Sequence, residues 1–231
     1  MKAVRCEQVV KQFKDVRALK SMTMEIEEGE IYGLIGRNGA GKTTILRIIA
    51  GTAFPTEGTV EIFEKPQSDV KRIGCFIDGL GLYPNLSGKK NMLLFADLMG
   101  SNAKEVHRLL ELVGLGDAMN RKVSGYSLGM KQRLGLAIAL LGNPSLIVLD
   151  EPFNGLDPLG VRLMSDLIVK LNKEEGKTFI ISSHMLGELS KIATHYGFID
   201  QGELKDEFPR ESKQASELEE YFLEKVGYEY A

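Results

Sequence analysis

Cysteine and histidine are scarce in this sequence. The two cysteines, Cys6 and Cys75, lie in apolar, strand-like segments, and neither is part of a CxxC pair. This scarcity argues against a disulfide framework and against a cysteine-based metal site, so both thiols are predicted to be reduced and buried, as in a cytosolic protein. Two of the three histidines, His107 and His195, fit no motif and are interpreted as structural.

Long apolar runs are missing as well. The longest run, residues 134–141, is far shorter than the roughly 20 residues that a helix needs to cross a bilayer. No secretory signal is recognisable after Met1. If the protein works at a membrane, we expect another chain to supply the membrane-spanning part.

A strong excess of positive charge is also missing. The net charge of −3 argues against a protein whose main task is to grip nucleic acid. Of the 231 residues, 43% are hydrophobic and 26% are charged, which is typical of a globular chain with a buried core. Because we find no internal repeat and no low-complexity linker, residues 1–231 are predicted to form one domain.

Hydrophobic periodicity divides the chain into three regions. A β-rich first part is followed by a helical part, residues 86–141, and then by alternating strands and helices. The predicted strands are residues 4–10, 22–26, 31–35, 59–63, 145–149 and 178–182. The predicted helices are residues 41–50, 91–99, 103–113, 130–141, 159–172 and 186–192. Because apolar strands alternate with helices, we expect an α/β fold with a mostly parallel sheet and an inserted helical part.

The segment GRNGAGKT, residues 36–43, matches the pattern GxxxxGK[ST] between a predicted strand and a predicted helix. Glycines let backbone N–H groups curl around an anion, and the helix N-terminus adds a favourable dipole. Lys42 is predicted to reach the β- and γ-phosphates of ATP, and the Thr43 hydroxyl to bind Mg²⁺. The alternative, a glycine-rich turn with a solvated lysine, does not explain this context. The residues predicted to bind ATP here are Gly36, Asn38, Gly39, Ala40, Gly41, Lys42, Thr43 and Thr44.

Two acidic residues, Asp150 and Glu151, follow the apolar run 146–149. Open α/β sheets place ligands at the carboxyl ends of their parallel strands. Asp150 is therefore predicted to hold Mg²⁺ through water, and Glu151 to orient and deprotonate an attacking water molecule. Alone, this segment is equally typical of a strand that ends in charged loop residues, but the phosphate loop favours the catalytic interpretation.

The segment YSLGMKQR, residues 126–133, lies between these two elements. Read from its residues, Ser127 is a good N-cap for the helix that follows. In this order, the three motifs resemble those of the ABC (ATP-binding cassette) ATPases, whose signature has the form LSGGQ followed by QR. The variant YSLGM is similar to the one in ATP-binding subunits of bacitracin- and lantibiotic-type exporters. The resemblance covers roughly residues 3–205.

The resemblance implies a domain organisation. Residues 1–85 and 142–205 would form a P-loop NTPase-like ATP-binding core with an N-terminal antiparallel β subdomain. Residues 86–141 would form the inserted α-helical signature subdomain. Residues 206–231 would form an acidic, helical tail that packs on the core, with a contact to a dimer partner or another protein as the alternative.

The resemblance also implies the roles of five further residues. Phe13 would stack on adenine, although a core phenylalanine is the alternative. Asp157, in the segment NGLD, would lie in a loop that crosses a dimer interface. His184 would contact the γ-phosphate. Ser127 and Gly129 of one chain would hold the ATP that is bound to the phosphate loop of another.

The sequence departs from the family pattern at two positions. Asp78 stands where the family usually has a glutamine that touches Mg²⁺ and the attacking water. An acidic residue is frequent here in relatives of the antibiotic exporters, so we assign Asp78 to the catalytic and metal-binding groups, with an ordinary turn aspartate as the alternative. Phe153 is bulkier than the usual residue at its position.

The function implied by the resemblance is that of an ATP-hydrolysing transporter subunit. Such a subunit needs Mg²⁺, a second cassette and a separate membrane permease at the cytoplasmic face of the membrane, and a homodimer is the simplest arrangement. Residues 81–91 would face the permease, and the cargo would be an antibiotic, an antimicrobial peptide or another small amphiphile. The alternatives are a non-transport ABC ATPase that acts on nucleic acid or ribosomes, and a weakly hydrolysing regulatory cassette. Nucleic acid is not expected as a partner.

Overall fold

The structure, a computed structural model of the chain, describes residues 1–66, 73–77, 81–212 and 217–226. The strands are β1 (Lys2–Phe13), β2 (Val16–Glu27), β3 (Ile31–Ile35), β4 (Glu57–Ile62), β5 (Lys65–Pro66), β6 (Ile73–Phe76), β7 (Leu146–Asp150), β8 (Thr178–Ser183), β9 (His195–Asp200) and β10 (Glu203–Pro209). The helices are α1 (Lys42–Ile49), α2 (Gly88–Met99), α3 (Ala103–Leu112), α4 (Leu128–Ala139), α5 (Pro158–Glu175), α6 (Leu186–Ile192) and α7 (Leu218–Val226).

The strands form two sheets. The smaller sheet has the order β2-β1-β4-β5 and is antiparallel throughout. The larger sheet has the order β10-β9-β3-β8-β7-β6, and all its pairs are parallel except β9 with β10. The predicted fold class, an α/β fold with a mostly parallel sheet, an antiparallel N-terminal β part and inserted helices, is confirmed.

The central strands of the larger sheet are buried on both faces. Every residue of β3 and β8 is buried, which explains why these strands are almost continuously apolar rather than alternating. Ile31 and Ile35 face one hydrophobic cluster, which also includes residues of α2 to α7, whereas Tyr32 and Leu34 face a second cluster around α1 and the smaller sheet. Because β3, β7 and β8 run parallel, their carboxyl ends lie at the same edge of the larger sheet, between the two hydrophobic clusters.

The hairpin formed by β9 and β10 was not predicted from the sequence. β10 is an edge strand in which only Phe208 is fully buried, so it has no apolar run that would mark it. Gln201 and Gly202, with φ of 47° and 78°, form the tight turn before it. The tail that was predicted to be helical from residue 206 consequently begins as a strand, and among its described residues the helix is limited to Leu218–Val226.

The two cysteines lie in strands, but their burial differs. Cys6 is fully buried in β1, and burial raises its thiol pKa to about 12. Cys75 in β6 is only partly buried, so the prediction of two buried thiols was wrong for this residue. The reason is that β6 is the edge strand of the larger sheet.

None of the helices in the described ranges has the length and hydropathy of a membrane-spanning segment.

Candidate active site

The loop between β3 and α1 lies tightly against the neighbouring strand β9. A Cβ atom on Gly36 would come within 2.4 Å of the Ile199 carbonyl oxygen, so only glycine allows this approach. Gly41 precedes the first turn of α1 with φ of 110°, a left-handed conformation that glycine adopts without strain. The glycines of the motif thus fold the loop into a compact turn that ends at a helix N-terminus, a geometry suited to anions.

Lys42 is buried inside this loop. Its Nζ donates hydrogen bonds to the carbonyl oxygens of Gly36 at 2.7 Å and Arg37 at 3.2 Å. It also lies 3.5 Å from Oε1 of Glu151, and its side chain is only 7% exposed. The ammonium group is therefore held at the loop by neutral carbonyls and by one carboxylate from the end of β7.

Asp150 is held by hydroxyl groups from two different elements. Thr43 Oγ1 donates to Asp150 Oδ2 at 2.7 Å, and Ser182 Oγ donates to Asp150 Oδ1 at 2.5 Å. The backbone N–H of Glu151 donates in turn to Ser182 Oγ at 3.0 Å and to the Ser182 carbonyl at 3.2 Å. Ser182 therefore positions both acidic residues. Sequence reasoning missed it because serine at a strand end carries no signal by itself.

Glu151 has a strained backbone and lies close to both a lysine and a histidine side chain. Its φ of 50° is left-handed, which costs a non-glycine residue on the order of 1–3 kcal/mol and is frequent at active sites. Glu151 Oε2 lies 2.7 Å from Nδ1 of His184 and accepts a 3.3 Å hydrogen bond from the His184 backbone N–H. The carboxylate thus bridges the lysine of the phosphate loop and the histidine that follows β8.

The signature segment and the loop that follows Glu151 touch one another. Ser127 Oγ accepts a hydrogen bond from the backbone N–H of Met130 at 3.2 Å, so Ser127 caps α4, and it is exposed. A Cβ atom on Gly155 would lie 2.3 Å from Leu128 Cδ2. Asp157 caps α5 through a 2.8 Å hydrogen bond from the N–H of Gly160.

Two groups of site residues can be distinguished in the described part of the chain. Hydrogen bonds and ion pairs connect the first group, in which Ser182, which was not predicted, joins the predicted residues Gly36, Lys42, Thr43, Asp150, Glu151 and His184. Among the described residues, no hydrogen bond or ion pair joins Ser127, Gly129 or Asp157 to this group. Asp78 lies outside the residues that the structure describes.

Phe13 lies apart from both groups, at the end of β1. Its side chain is 47% exposed, so it is not a core residue, and it pairs with Val16 across the hairpin. Lys11 Nζ lies 4.9 Å from the centre of its ring. Phe153, by contrast, is buried in the larger hydrophobic cluster, which accounts for the bulky side chain at that position.

Comparison with known proteins identifies the family. The family model described as ABC transporter matches residues 19–154, which include the phosphate loop, the signature segment and Asp150. The chain belongs to the ABC transporter family. It is therefore a nucleotide-binding cassette, an ATPase of the kind that works with membrane permeases.

Two characterised cassettes are similar over most of the chain. The bacitracin transport ATP-binding protein BcrA of Bacillus licheniformis is 40% identical over 212 residues, which cover 89% of this chain and 69% of BcrA. The lantibiotic transport ATP-binding protein SrtF of Streptococcus pyogenes is 42% identical over 214 residues, which cover 91% of this chain and 92% of SrtF.

Solved cassettes share the fold. The dimeric structure of MJ0796, a bacterial ABC transporter cassette, superposes with a TM-score of 0.84 at 27% identity and covers 90% of this chain and 99% of its own. A dimeric post-hydrolysis state of the same cassette, bound to ADP and phosphate, superposes with a TM-score of 0.83. This related cassette therefore forms a dimer, and it does so in a state with ADP and phosphate bound.

Proposed function

We propose that the cluster around Glu151 is the hydrolytic centre of this ABC ATPase. The observation that carries the proposal is the position of the Glu151 carboxylate, with Oε1 3.5 Å from Lys42 Nζ and Oε2 2.7 Å from His184 Nδ1. A base for water must lie beside the groups that hold the transferred phosphate. The residues proposed to bind the phosphates lie in the loop and in the first turn of the helix that follows it. They are Gly36, Asn38, Gly39, Ala40, Gly41, Lys42, Thr43 and Thr44.

The contact of Glu151 with Lys42 would change when ATP binds. Phosphate oxygens offer Lys42 a stronger partner than the carbonyls of the loop, so Nζ turns towards them and leaves Glu151 Oε1. Oε1 is then free to accept a proton from water, while Nδ1 of His184 keeps Oε2 in place. The other ring nitrogen of His184 would be the one that contacts the γ-phosphate.

The oxygen atoms of Thr43 and Asp150 fit Mg²⁺. Thr43 Oγ1 and Asp150 Oδ2 lie 2.7 Å apart, so a hydroxyl and a carboxylate already face the same point. Among the described residues there is no cluster of three or more metal-binding side chains. Few protein ligands are typical for Mg²⁺ bound together with phosphates, since this ion retains several waters. When bound, it would neutralise charge on the phosphates, with Asp78 proposed as a further ligand through water.

A second chain would complete the site. Ser127 and Asp157 are exposed and Gly129 is half-buried, and in the described part of the chain none of the three is bonded to the Glu151 cluster. We assign them to the ATP held by the phosphate loop of a partner, most simply a second copy. The dimeric cassettes of the same fold support this arrangement.

The cargo assignment follows from the relatives. Since BcrA and SrtF are named for bacitracin and lantibiotic transport, export of an antibiotic, an antimicrobial peptide or a similar amphiphile is the proposed task. An apolar groove of about 580 Å³, lined by Tyr83, Leu94 and Leu98 among others, is suited to a permease. Docking on a permease would put the chain on the cytoplasmic face of the membrane.

Copurification tests this transport role. The tagged chain is extracted from its native host with mild detergent, and the proteins bound to it are identified. An integral membrane protein in fixed stoichiometry is the expected result, and the Leu98→Glu variant, which places a charge in the groove, should lose it. Recovery with ribosomes or other exclusively soluble partners would instead favour a non-transport ABC ATPase.

A further inference from the structure

The C-terminal helix α7 is anchored to the β9–β10 hairpin by aromatic side chains. The ring of Phe222 lies 5.2 Å from that of Phe198, and the ring of Tyr221 lies 5.3 Å from that of Phe208, both in edge-on geometry. The Tyr221 hydroxyl donates a hydrogen bond to the Asp206 carboxylate. Aromatic pairs of this kind contribute about 0.5–1.5 kcal/mol each beyond their buried area, so α7 has a defined position on the sheet edge.

The other side of α7 faces the segment that carries His184. Helices α6 and α7 pack together. Phe222 and Leu223 of α7 line a cleft of about 440 Å³ whose opposite wall is formed by His184, Met185 and Leu186. The helix thus lies beside the turn between β8 and α6.

One residue marks how close the two helices come. A Cβ atom on Gly187, in the first turn of α6, would lie 3.6 Å from Oε1 of Glu219 on α7. The first turn of α6 therefore lies close to the Glu219 side chain of α7.

The turn that holds His184 is supported locally by one side-chain hydrogen bond, from the Met185 N–H to Ser183 Oγ at 2.9 Å. Helix α6 is only seven residues long, and its first turn has no side-chain cap. The imidazole of His184 is 49% exposed, and both hydrogen bonds of this residue go to the same Glu151 oxygen. Because a short helix gains most of its stability from packing, the position of this turn depends on the surfaces that α6 contacts.

We propose that α7 positions His184 for catalysis, and that Phe222 and Leu223 are the positioning residues. The inference rests on the proposed role of His184 at the hydrolytic centre. Phe222 connects the sheet edge, through Phe198, to the cleft beside His184. If α7 is loosened, the turn before α6 gains freedom, and the imidazole no longer holds the Glu151 carboxylate in one orientation. Such a loss affects the chemical step and not the affinity for ATP.

The test compares Phe222→Ala and Leu223→Ala with Phe222→Leu, which keeps the apolar volume, and with Glu220→Ala, an exposed position on the same helix. Steady-state ATPase assays on the full-length chain should show kcat reduced about tenfold in both alanine variants at unchanged KM for ATP. Phe222→Leu should recover most of the loss. Leu223 does not belong to the aromatic pairs, so Leu223→Ala stays informative if Phe222→Ala folds poorly.

A second readout follows the histidine itself. With only three histidines in the chain, the imidazole resonances can be assigned by NMR with single His→Gln variants. In Phe222→Ala and Leu223→Ala the His184 resonances should shift, while those of His107 on α3 stay in place. Unchanged His184 resonances, or kcat equal to wild type, would overturn the inference.

The proposed function is tested separately in the same assays. If His184→Ala turns over ATP at the wild-type rate, His184 is not part of the hydrolytic centre, and both proposals are wrong. If His184→Ala is slow while Phe222→Ala and Leu223→Ala keep full kcat, only the role of α7 is refuted.

Discussion

His184 Nδ1 lies 2.7 Å from Oε2 of Glu151, although the two residues follow different strands, β8 and β7. The parallel pairing of these strands brings their carboxyl ends to one edge of the sheet. The carboxylate is held at Oε2 by this contact, while its other oxygen, Oε1, faces Lys42 Nζ at 3.5 Å and would be released when Lys42 turns to a phosphate. We therefore regard this pair as the centre of the site.

Glu151→Gln should remove most ATP turnover. The amide keeps the shape of the side chain but cannot accept a proton from water. General-base catalysis contributes typically 10²- to 10⁴-fold, and we expect kcat to fall within that range at nearly unchanged ATP affinity. Phosphate release and nucleotide binding, measured on the same preparation, check both parts. Glu188→Gln, which changes a carboxylate on α6 that pairs with Lys191, is the matched control and should keep wild-type turnover.

Ser182→Ala should impair both folding and catalysis. The hydroxyl donates to Asp150 and accepts from the Glu151 N–H, and Ser182 is fully buried. Its removal leaves buried groups unsatisfied, which costs about 1–3 kcal/mol of unfolding free energy, measurable by urea denaturation. Turnover should fall as well, because Asp150 and Glu151 lose a common support.

Ser165→Ala is the control for this variant. Ser165 is also buried, but its hydroxyl has no hydrogen-bond partner among the described residues. The free energy of unfolding should therefore stay within about 0.5 kcal/mol of wild type. Equal losses in the two variants would mean that the Ser182 hydrogen bonds contribute nothing specific.

The local motifs of the site could be read from the sequence, but their connections could not. The phosphate loop and the acidic end of β7 are each contiguous, so composition and spacing reveal them. Ser182 acquires its importance only because β7 and β8 pair in a register that sets it opposite Asp150. Register between distant strands is a property of the folded sheet, so no local pattern encodes it.

For the fold, too, some elements could be predicted from a local sequence pattern and others could not. Apolar strands such as β3 and β8 were predicted because burial on both faces makes them uniformly apolar. The charged edge strand β10 and the boundary of the helical tail were missed, since an edge strand needs few apolar residues. The roles of Asp78 and of the signature residues remain predictions.

Gly74→Ala should destabilise the whole molecule. A Cβ atom at this position in β6 would lie 1.8 Å from the Ala139 carbonyl oxygen at the end of α4. A backbone atom cannot move aside without displacing the neighbouring chain, so we expect a loss of about 3 kcal/mol or more in the free energy of unfolding. Gly81→Ala is the control, because no atom of the described residues lies within 4 Å of the added methyl group. Thermal denaturation that fails to separate the two variants would show that β6 and α4 are not packed as described.

Glu207→Gln should stabilise the protein increasingly as the pH rises. Partial desolvation of its carboxyl group raises the pKa of Glu207 above its usual 4.5, even though the residue as a whole is exposed on β10, and the hydrogen bond from the Tyr32 hydroxyl opposes this effect. A carboxyl group whose pKa is raised in the folded state binds its proton more tightly there than in the unfolded state. The wild-type protein therefore loses this stabilisation as the pH rises through the folded-state pKa of Glu207. Glutamine keeps an acceptor for Tyr32 without the charge.

Urea denaturation between pH 4 and pH 7 measures this effect. The stability of Glu207→Gln relative to wild type should increase over that interval. A difference that is constant or decreases with pH would contradict the stated environment of Glu207.

The central claim, that ATP is bound between two copies of this chain, is tested most directly by light scattering of Glu151→Gln. With ATP and Mg²⁺ we expect a particle of twice the 25.6 kDa chain mass, and without nucleotide we expect a monomer. Adding Ser127→Arg, which blocks the signature surface but leaves the phosphate loop intact, should abolish the dimer while the chain still binds ATP. A monomer with bound ATP in the Glu151→Gln variant, or a dimer that persists after Ser127→Arg, would show that ATP is not held between two copies of the chain in this way.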